Sequence, residues 1–396
     1  MDKPVLYNLK NSLKVCFLPY PGVDSVTLHL RGLAGSNFEN SSQIGASHIL
    51  EHLSFNIGNK QKILLQGGKI IGVTSRDDVL YMVKTLKENV LDSIEFLSQI
   101  FKKNEFCKSD FENQKNVVTQ EIIRVKGSPE KLISRASYKI LYPKQRLSKF
   151  NTGEENDLKA LKIEEVYSFK DTKYFPNNFV LVISGDVNHN NIFPYIEKYF
   201  GDYPVGQKTS HLSHKQNSKK EIQIIHIPVK QTHVKIDFYG YEIRNDKKYG
   251  SAVLALALDL YLKNLIREKL GLVYNINCNS FSTGSYGLFS VYFACGREKS
   301  EELINMVLET IKESKKILST RNLEHVKKIT LANMIYGFEK TSVRADYYSE
   351  LLLHGMPYQN HLYEMGKIKN LSINAVKEIA NEINNQKPKI TIITML

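Results

Sequence analysis

Residues 48–52 read His-Ile-Leu-Glu-His, and their types and spacing could bind a metal ion and use it. On a helix, positions i and i+4 share one face, so His48 and His52 can direct two imidazoles at a single ion. Glu51 lies beside His52 on nearly the same face. Two neutral imidazoles with a carboxylate nearby suit a Zn²⁺ ion that activates water. The pentapeptide therefore predicts a zinc centre that needs a third protein ligand from elsewhere in the chain.

The elements that would position these residues occur in two copies along the chain. Residues 157–184 align without gaps with residues 367–394, at a spacing of 210 residues (373 − 163), and each copy is typical of an amphipathic helix followed by a β-branched strand. SVTLHLRG at 25–32 resembles HVKIDFYG at 233–240, and both are alternating strands that end in glycine. The repeat predicts two similar α+β units of about 200 residues each.

The polar stretch at 205–220 lacks apolar periodicity and is predicted to link the two copies. We therefore predict a metal-binding domain at 1–204 and a homologous domain without the metal at 221–396. In the second copy, the segment equivalent to 48–52 falls on 256–260 and reads Leu-Ala-Leu-Asp-Leu. A helical histidine pair is often a half-buried polar patch without a metal. Because the second copy packs leucine and alanine there, a functional role for the histidines is favoured.

Composition and charge narrow the classes of function. A chain that is 42% hydrophobic and 24% charged is typical of a globular protein. We expect no transmembrane helix, because no apolar run reaches about 18 residues. We also expect no secretion signal. Together these two expectations predict a cytoplasmic protein. The four cysteines form no C-x-x-C pair and are predicted to be free thiols. The net charge of +13 is spread along the chain without a nucleic-acid motif, so nucleic-acid binding is a distant alternative.

A helix is predicted over residues 109–126, with a capping box formed by Ser109 and Glu112 at its N-terminus. Phe111, Val117, Val118 and Ile122 mark the side of this helix that packs against the protein, and Glu121 lies beside Ile122 in an apolar neighbourhood. A glutamate on a helix is most often a solvated surface charge. The pattern alone therefore leaves open whether Glu121 is the third ligand.

Three segments together resemble one family of peptidases: GASHILEHLSF at 45–55, TSRDDVLY at 74–81 and NVVTQEIIR at 116–124. They are similar to the pitrilysin/insulinase family of inverted-motif (H-x-x-E-H) zinc metallopeptidases, and most similar to two-domain bacterial members related to mitochondrial processing peptidase. The resemblance continues through 174–187 and 266–276, and so covers nearly the whole chain. It implies an α+β fold of two homologous α/β sandwich domains, each an antiparallel-rich sheet covered by helices, which form half of a clamshell.

The resemblance also implies roles for single residues. His48, His52 and Glu121 match the zinc ligands, and Glu51 matches the general base that takes a proton from the attacking water. In the second half, Arg267 and Tyr274 match an arginine and a tyrosine that contact the substrate backbone near the cut and stabilise the oxyanion.

Two positions depart from the family pattern. Where the family usually has an acidic residue seven positions before the glutamate ligand, this chain has Gln114, which can hydrogen-bond to a histidine ligand but carries no charge. Ile71 replaces an asparagine three residues before the threonine of the T-S-R segment, which puts one substrate contact in doubt. Lower activity is one expected consequence.

The resemblance implies a zinc-dependent endopeptidase or oligopeptidase that hydrolyses extended peptides or unfolded segments inside a dimeric chamber. A homodimer is the expected assembly, with a heterodimer as the alternative, and the substrate is expected to pair as an added strand with a sheet edge at 26–35. Two other functions stay open. One is a catalytically weak or non-catalytic subunit of a heteromeric assembly resembling processing peptidase. The other is a protease dedicated to the maturation of one peptide.

Overall fold

The computed structural model describes residues 3–56, 59–102, 106–216, 218–356 and 361–396. In these ranges the strands are β1 (Val5–Asn8), β2 (Lys14–Pro19), β3 (Ser25–Gly32), β4 (Lys69–Thr74), β5 (Val79–Leu86), β6 (Phe179–Gly185), β7 (Ile222–His226), β8 (Thr232–Tyr239), β9 (Ile276–Ser282), β10 (Gly287–Cys295) and β11 (Lys389–Thr394). The α-helices are α1 (Ala46–Ser54), α2 (Lys60–Leu65), α3 (Val90–Ser98), α4 (Lys108–Lys126), α5 (Pro129–Leu141), α6 (Glu155–Ala160), α7 (Ile163–Lys173), α8 (His189–Phe200), α9 (Lys247–Leu262), α10 (Ser300–Lys312), α11 (Ser314–Ile317), α12 (Thr320–Phe338), α13 (Thr341–Leu353), α14 (His361–Lys369) and α15 (Ile373–Asn384).

The chain folds into two compact units, and each unit is assembled from three segments. Unit 1 contains Met1–Ile122, Phe150–His211 and Ile335–Asn360, and unit 2 contains Ile123–Lys149, Leu212–Met334 and His361–Leu396. The domains predicted from the sequence follow the chain in order. The units differ from them because each unit includes a helical segment from the other half of the sequence: α5 belongs to unit 2 and α13 belongs to unit 1.

Unit 1 is built on a six-stranded sheet in the order β1-β2-β6-β3-β5-β4. The neighbours of β3 are β6 and β5, both antiparallel to it. The prediction that residues 26–35 form a sheet edge is therefore wrong. The edge strands among the described residues are β1 and β4. Alternation of polar and apolar residues indicates a strand but does not indicate its place in the sheet.

Both faces of the central strand β3 are covered. Val26, Leu28 and Leu30 of β3 point to the main core of unit 1, which also contains buried residues of α1, α3, α7 and α8. The residues of β3 between them point to the other face, where α13 packs. There the hydroxyls of Thr27 and Thr341 are 2.9 Å apart, and the Arg31 guanidinium donates to the Asp346 carboxylate at 3.0 Å.

Unit 2 repeats this plan with a five-stranded sheet in the order β7-β11-β8-β10-β9. Helix α9 packs on one face, and α5 packs on the other, where the Ser137 hydroxyl accepts from the Lys235 ammonium at 3.0 Å. The predicted repeat is confirmed, because the spacing of 210 residues places Ile163 and Phe179, the first residues of α7 and β6, on the first residues of α15 and β11.

The long apolar helix of unit 2 has the length and composition of a membrane-spanning helix. It comprises α9 and the π-helical segment Lys263–Lys269 that continues it, so that the span is Lys247–Lys269. Of its most apolar 18-residue window, 56% is buried within the protein. Core helices pass the same test, and the burial indicates that Lys247–Lys269 is one of them.

Candidate metal centre

Helix α1 carries His48, Glu51 and His52 on one face and its large apolar residues on another. Ile49, Leu50 and Leu53 are fully buried in the core of unit 1 and fix the orientation of the helix. Its first turn is held by Glu39, whose carboxylate accepts from the backbone N–H groups of Gly45 and Ser47 at 3.0 and 2.9 Å. A carboxylate at a helix N-terminus satisfies donors that have no intrahelical partner.

Helix α4 supplies the glutamate. It begins at Lys108, and the Cys107 thiol sulfur accepts from the backbone N–H of Asp110 at 3.4 Å. The predicted capping box at Ser109 is therefore wrong, because Ser109 lies inside the first turn. Val118 and Ile122 are buried in the core of unit 1, which leaves Glu121, next to Ile122, half-buried beside α1.

The structure brings His48, His52 and Glu121 together. Their potential ligand atoms all lie within 4.8 Å of one another. Oε2 of Glu121 is 3.7 Å from Nε2 of His48, and Oε1 of Glu121 is 3.9 Å from Nε2 of His52. Two imidazole nitrogens and one carboxylate oxygen are a donor set that catalytic zinc uses, with the fourth position left for water. These residues therefore fit a zinc ion.

Gln114 orients one of the two histidines. Its amide oxygen lies 3.1 Å from Nδ1 of His52. An amide oxygen can accept but not donate, so Nδ1 carries the proton and the lone pair of Nε2 faces Glu121. The hydrogen bond expected from the sequence is thus present, with a neutral acceptor.

We expect Gln114→Leu to weaken zinc binding about 10-fold to 100-fold, because His52 loses the acceptor that fixes its tautomer and ring orientation. Gln114→Glu should bind zinc at least as tightly as the wild type, since a carboxylate is a stronger acceptor. Competition with a fluorescent zinc chelator measures both affinities. Gln120→Leu, at an exposed position of the same helix, is the matched control. An unchanged affinity in Gln114→Leu would show that His52 needs no such partner.

The Glu51 carboxylate lies beside the metal ligands and under strand β4. Its Oε2 is 3.8 Å from Nε2 of His48 and accepts from the Thr74 hydroxyl at 3.3 Å. Burial raises the pKa of the Glu51 carboxyl to about 7, although the hydrogen bond from Thr74 opposes the rise. The neighbouring charge of Glu121 adds to it. A carboxylate with a pKa near neutrality is well suited to accept a proton and return it.

Gly72 makes the space that this carboxylate occupies. A Cβ atom built on Gly72 would lie 1.8 Å from Oε1 of Glu51 and 2.2 Å from Cε2 of Phe55. Neither contact is compatible with a side chain. Neither the role of Gly72 nor the Thr74 contact was predicted from the sequence. A glycine in the middle of the β-branched strand KIIGVT was the available signal, because glycine within a strand often marks the close approach of another group.

Arg267 and Tyr274 lie together at the surface of unit 2. The Arg267 guanidinium is 6.0 Å from the centre of the Tyr274 ring, and its Nε is 3.4 Å from the Glu268 carboxylate. Tyr274 is 84% exposed. Arg267 belongs to the π-helical segment that follows α9, and Gly271 turns the chain between the two residues with a φ of +62°. Both side chains carry donors that are available to a ligand.

Two family models match the chain in succession. The model described as insulinase (peptidase family M16) matches residues 18–152, and the model described as the peptidase M16 inactive domain matches residues 160–330. The first match contains the pentapeptide of α1 and Glu121. The second contains Arg267 and Tyr274.

Relatives and solved structures agree with these matches. A protein of Rickettsia felis named "uncharacterized zinc protease" is 27% identical over 351 residues, which are 85% of this chain and 84% of the relative. The β subunit of mitochondrial processing peptidase from Saccharomyces cerevisiae is 28% identical over 206 residues, covering 50% of this chain and 45% of that subunit. The crystal structure of a protease from Helicobacter pylori shares the fold, with a TM-score of 0.91, 19% identity and full coverage of both chains.

Proposed function

Because the chain belongs to the pitrilysin/insulinase family of zinc metallopeptidases, we propose that it is a zinc-dependent endopeptidase or oligopeptidase acting on extended peptides or unfolded segments. The observation that carries the proposal is the convergence of His48, His52 and Glu121 beside the buried carboxylate of Glu51. His48, His52 and Glu121 would hold the ion. Bound zinc would supply a Lewis acid that acidifies water and polarises the scissile carbonyl.

The residues of the chain divide the remaining chemistry. Glu51 takes the proton of the attacking water and returns it to the leaving amine, so that one carboxylate serves both proton transfers. Thr74 and the space above Gly72 hold this carboxylate next to the histidines. Gln114 keeps His52 in the tautomer that can bind a metal. Arg267 and Tyr274 of unit 2 carry guanidinium and phenol donors of the kind that stabilise an oxygen as it becomes negatively charged.

Strand β4 is the proposed binding edge for the substrate. It is the outermost strand of its sheet next to the metal centre, and its residue Gly72 contacts Glu51. An extended peptide can add to such an edge through backbone hydrogen bonds, which tolerate many sequences. This assignment replaces the edge that the sequence predicted at 26–35.

The direct test is cleavage of an internally quenched fluorogenic peptide by the purified protein, before and after a chelator removes the metal. We expect turnover that stops with the chelator and returns when stoichiometric zinc is added. As a control, the chelator is removed by buffer exchange before the assay, so that it cannot act on the peptide directly. Cleavage that persists after the metal is removed would contradict the proposal. So would the absence of any cleavage when zinc is bound at one ion per chain.

We further propose a homodimer in which Arg267 and Tyr274 of the partner subunit complete each site. The high exposure of Tyr274 supports this, because its hydroxyl is open to a second chain. Mixing Glu51→Gln chains with Arg267→Ala chains tests it. Each variant alone should be inactive, whereas a mixed dimer has one site with an intact glutamate and an intact arginine and should recover part of the activity. If mixing restores nothing while the chains exchange, each site uses the arginine of its own chain.

A further inference from the structure

The face of strand β4 that points away from Glu51 carries a short row of side chains. Successive residues of a strand point to opposite faces. Because Gly72 faces Glu51, its neighbours Ile71 and Val73 face the other side of the sheet, and they are 46% and 43% exposed. Lys69 is on the same side as these two residues, one further step along the strand. The row therefore reads lysine, isoleucine, valine at alternate positions.

The neighbouring strand β5 strengthens this pattern. Its residue Lys84 is the register partner of Lys69, and Met82 is the partner of Ile71. Two ammonium groups thus occupy directly opposite positions on one face, an arrangement that disfavours the pair unless a negative charge is nearby. In the part of the chain that the structure describes, no carboxylate lies within 4.0 Å of either ammonium group. A partly exposed apolar surface therefore lies along the outermost strand, next to two positive charges that no carboxylate neutralises.

A peptide added to β4 would place its own alternate side chains on this face. Side chains in register on adjacent strands are about 5 Å apart and contact each other. Two alternate residues of the peptide would lie beside Ile71 and Val73, and a third would lie beside Lys69 and within reach of Lys84. The intervening residues would point to the side of Glu51.

We propose that strand β4 selects extended segments that carry two apolar residues at alternate positions and an acidic residue two positions from them. The inference rests on the proposed function and names its substrate class. Parallel and antiparallel addition reverse the order of the three residues, so the acidic residue precedes the apolar pair in one direction and follows it in the other.

The test compares peptides of equal length that differ at one position. Each contains a valine and an isoleucine separated by one residue, with Glu, Gln or Lys two positions before or after the pair. Binding is measured by fluorescence anisotropy with the zinc-loaded Glu51→Gln variant, and cleavage is measured with the wild type. In one of the two orders we expect the Glu peptide to bind about fivefold more tightly than the Gln peptide, and the Lys peptide more weakly than both.

A charge reversal makes the prediction specific. Lys69→Glu should remove the preference for the Glu peptide, because the introduced carboxylate lies directly opposite the Lys84 ammonium and neutralises it. Lys10→Glu, an exposed position between β1 and β2 at the other edge of the same sheet, changes the net charge equally and should leave the order unchanged. Ile71→Asn should remove the preference for an apolar residue over serine at one position. Circular dichroism establishes that each variant is folded.

The outcomes separate this inference from the proposed function. If the peptides are cleaved without a preference at the acidic position, or if Lys69→Glu and Lys10→Glu act alike, the inference is overturned and the peptidase proposal stands. If binding follows the expected order but the wild type cleaves no peptide, the inference stands as a peptide-binding edge and the peptidase proposal fails.

Discussion

Glu51→Gln is expected to lower kcat for a peptide substrate by about 1,000-fold or more while one zinc ion per chain stays bound. An amide cannot accept the proton of the attacking water, and a positioned general acid–base group typically contributes 10²- to 10⁴-fold, here in two successive transfers. The substitution conserves the shape of a buried side chain beside Thr74 and Gly72, so the packing should persist. Steady-state kinetics and metal analysis of the same preparation provide the measurement.

The matched control for this substitution is Glu112→Gln. Glu112 is an exposed residue of α4 whose carboxylate is 3.6 Å from the Lys115 ammonium, and surface pairs of this kind contribute little. It should keep the kinetics of the wild type. If Glu51→Gln retains full turnover with zinc bound, another group transfers the proton and the assignment of the base is wrong.

Glu121→Ala is expected to remove the metal itself. Its carboxylate faces Nε2 of both histidines, and without it the site offers two neutral ligands and no negatively charged ligand. We expect zinc affinity to fall by more than about 100-fold and turnover to be lost at limiting zinc, since even the loss of a supporting contact to a ligand costs 10-fold to 100-fold. Titration against a chelator of known affinity measures the first effect.

The two substitutions should leave different signatures. Glu51→Gln separates catalysis from metal binding, whereas Glu121→Ala abolishes both together, and excess zinc should restore part of the activity in Glu121→Ala alone. Glu112→Ala on the same helix serves as the control for changes in α4. A Glu121→Ala protein that still binds one equivalent of zinc as tightly as the wild type would exclude Glu121 as a ligand.

The local geometry of the candidate site could be predicted from the sequence. The i, i+4 spacing places His48 and His52 on one face wherever the pentapeptide is helical, and α1 extends from Ala46 to Ser54. The proximity of Glu121 could not be derived in this way. It depends on how α4 packs against α1, and its indication came from the family resemblance. The space above Gly72 depends likewise on the packing of β4 against α1.

The position of β3 in its sheet shows where sequence patterns lose information. SVTLHLRG alternates polar and apolar residues, which is typical of a strand with one solvated face. The polar residues Thr27 and His29 are nevertheless buried, because α13 covers that face. Burial lowers the pKa of His29 to about 3, so this imidazole is neutral in the folded protein at neutral pH. A helix that begins more than 300 residues later in the chain leaves no trace in the local pattern of the strand.

Because α13 packs on the sheet of unit 1, that sheet cannot be fully covered until the second half of the chain has been synthesised. Thr27 and Thr341 are 314 residues apart, and Arg344 donates to the backbone carbonyl of Pro19, 325 residues before it. At elongation rates of about 5–20 residues per second, the first sheet waits roughly tens of seconds for its covering helix. Until then its apolar residues around Cys16, Leu18 and Val182 have no cover from α13. The newly made first half should therefore depend on chaperones until the ribosome has produced the second half, and a chain truncated after residue 204 should aggregate.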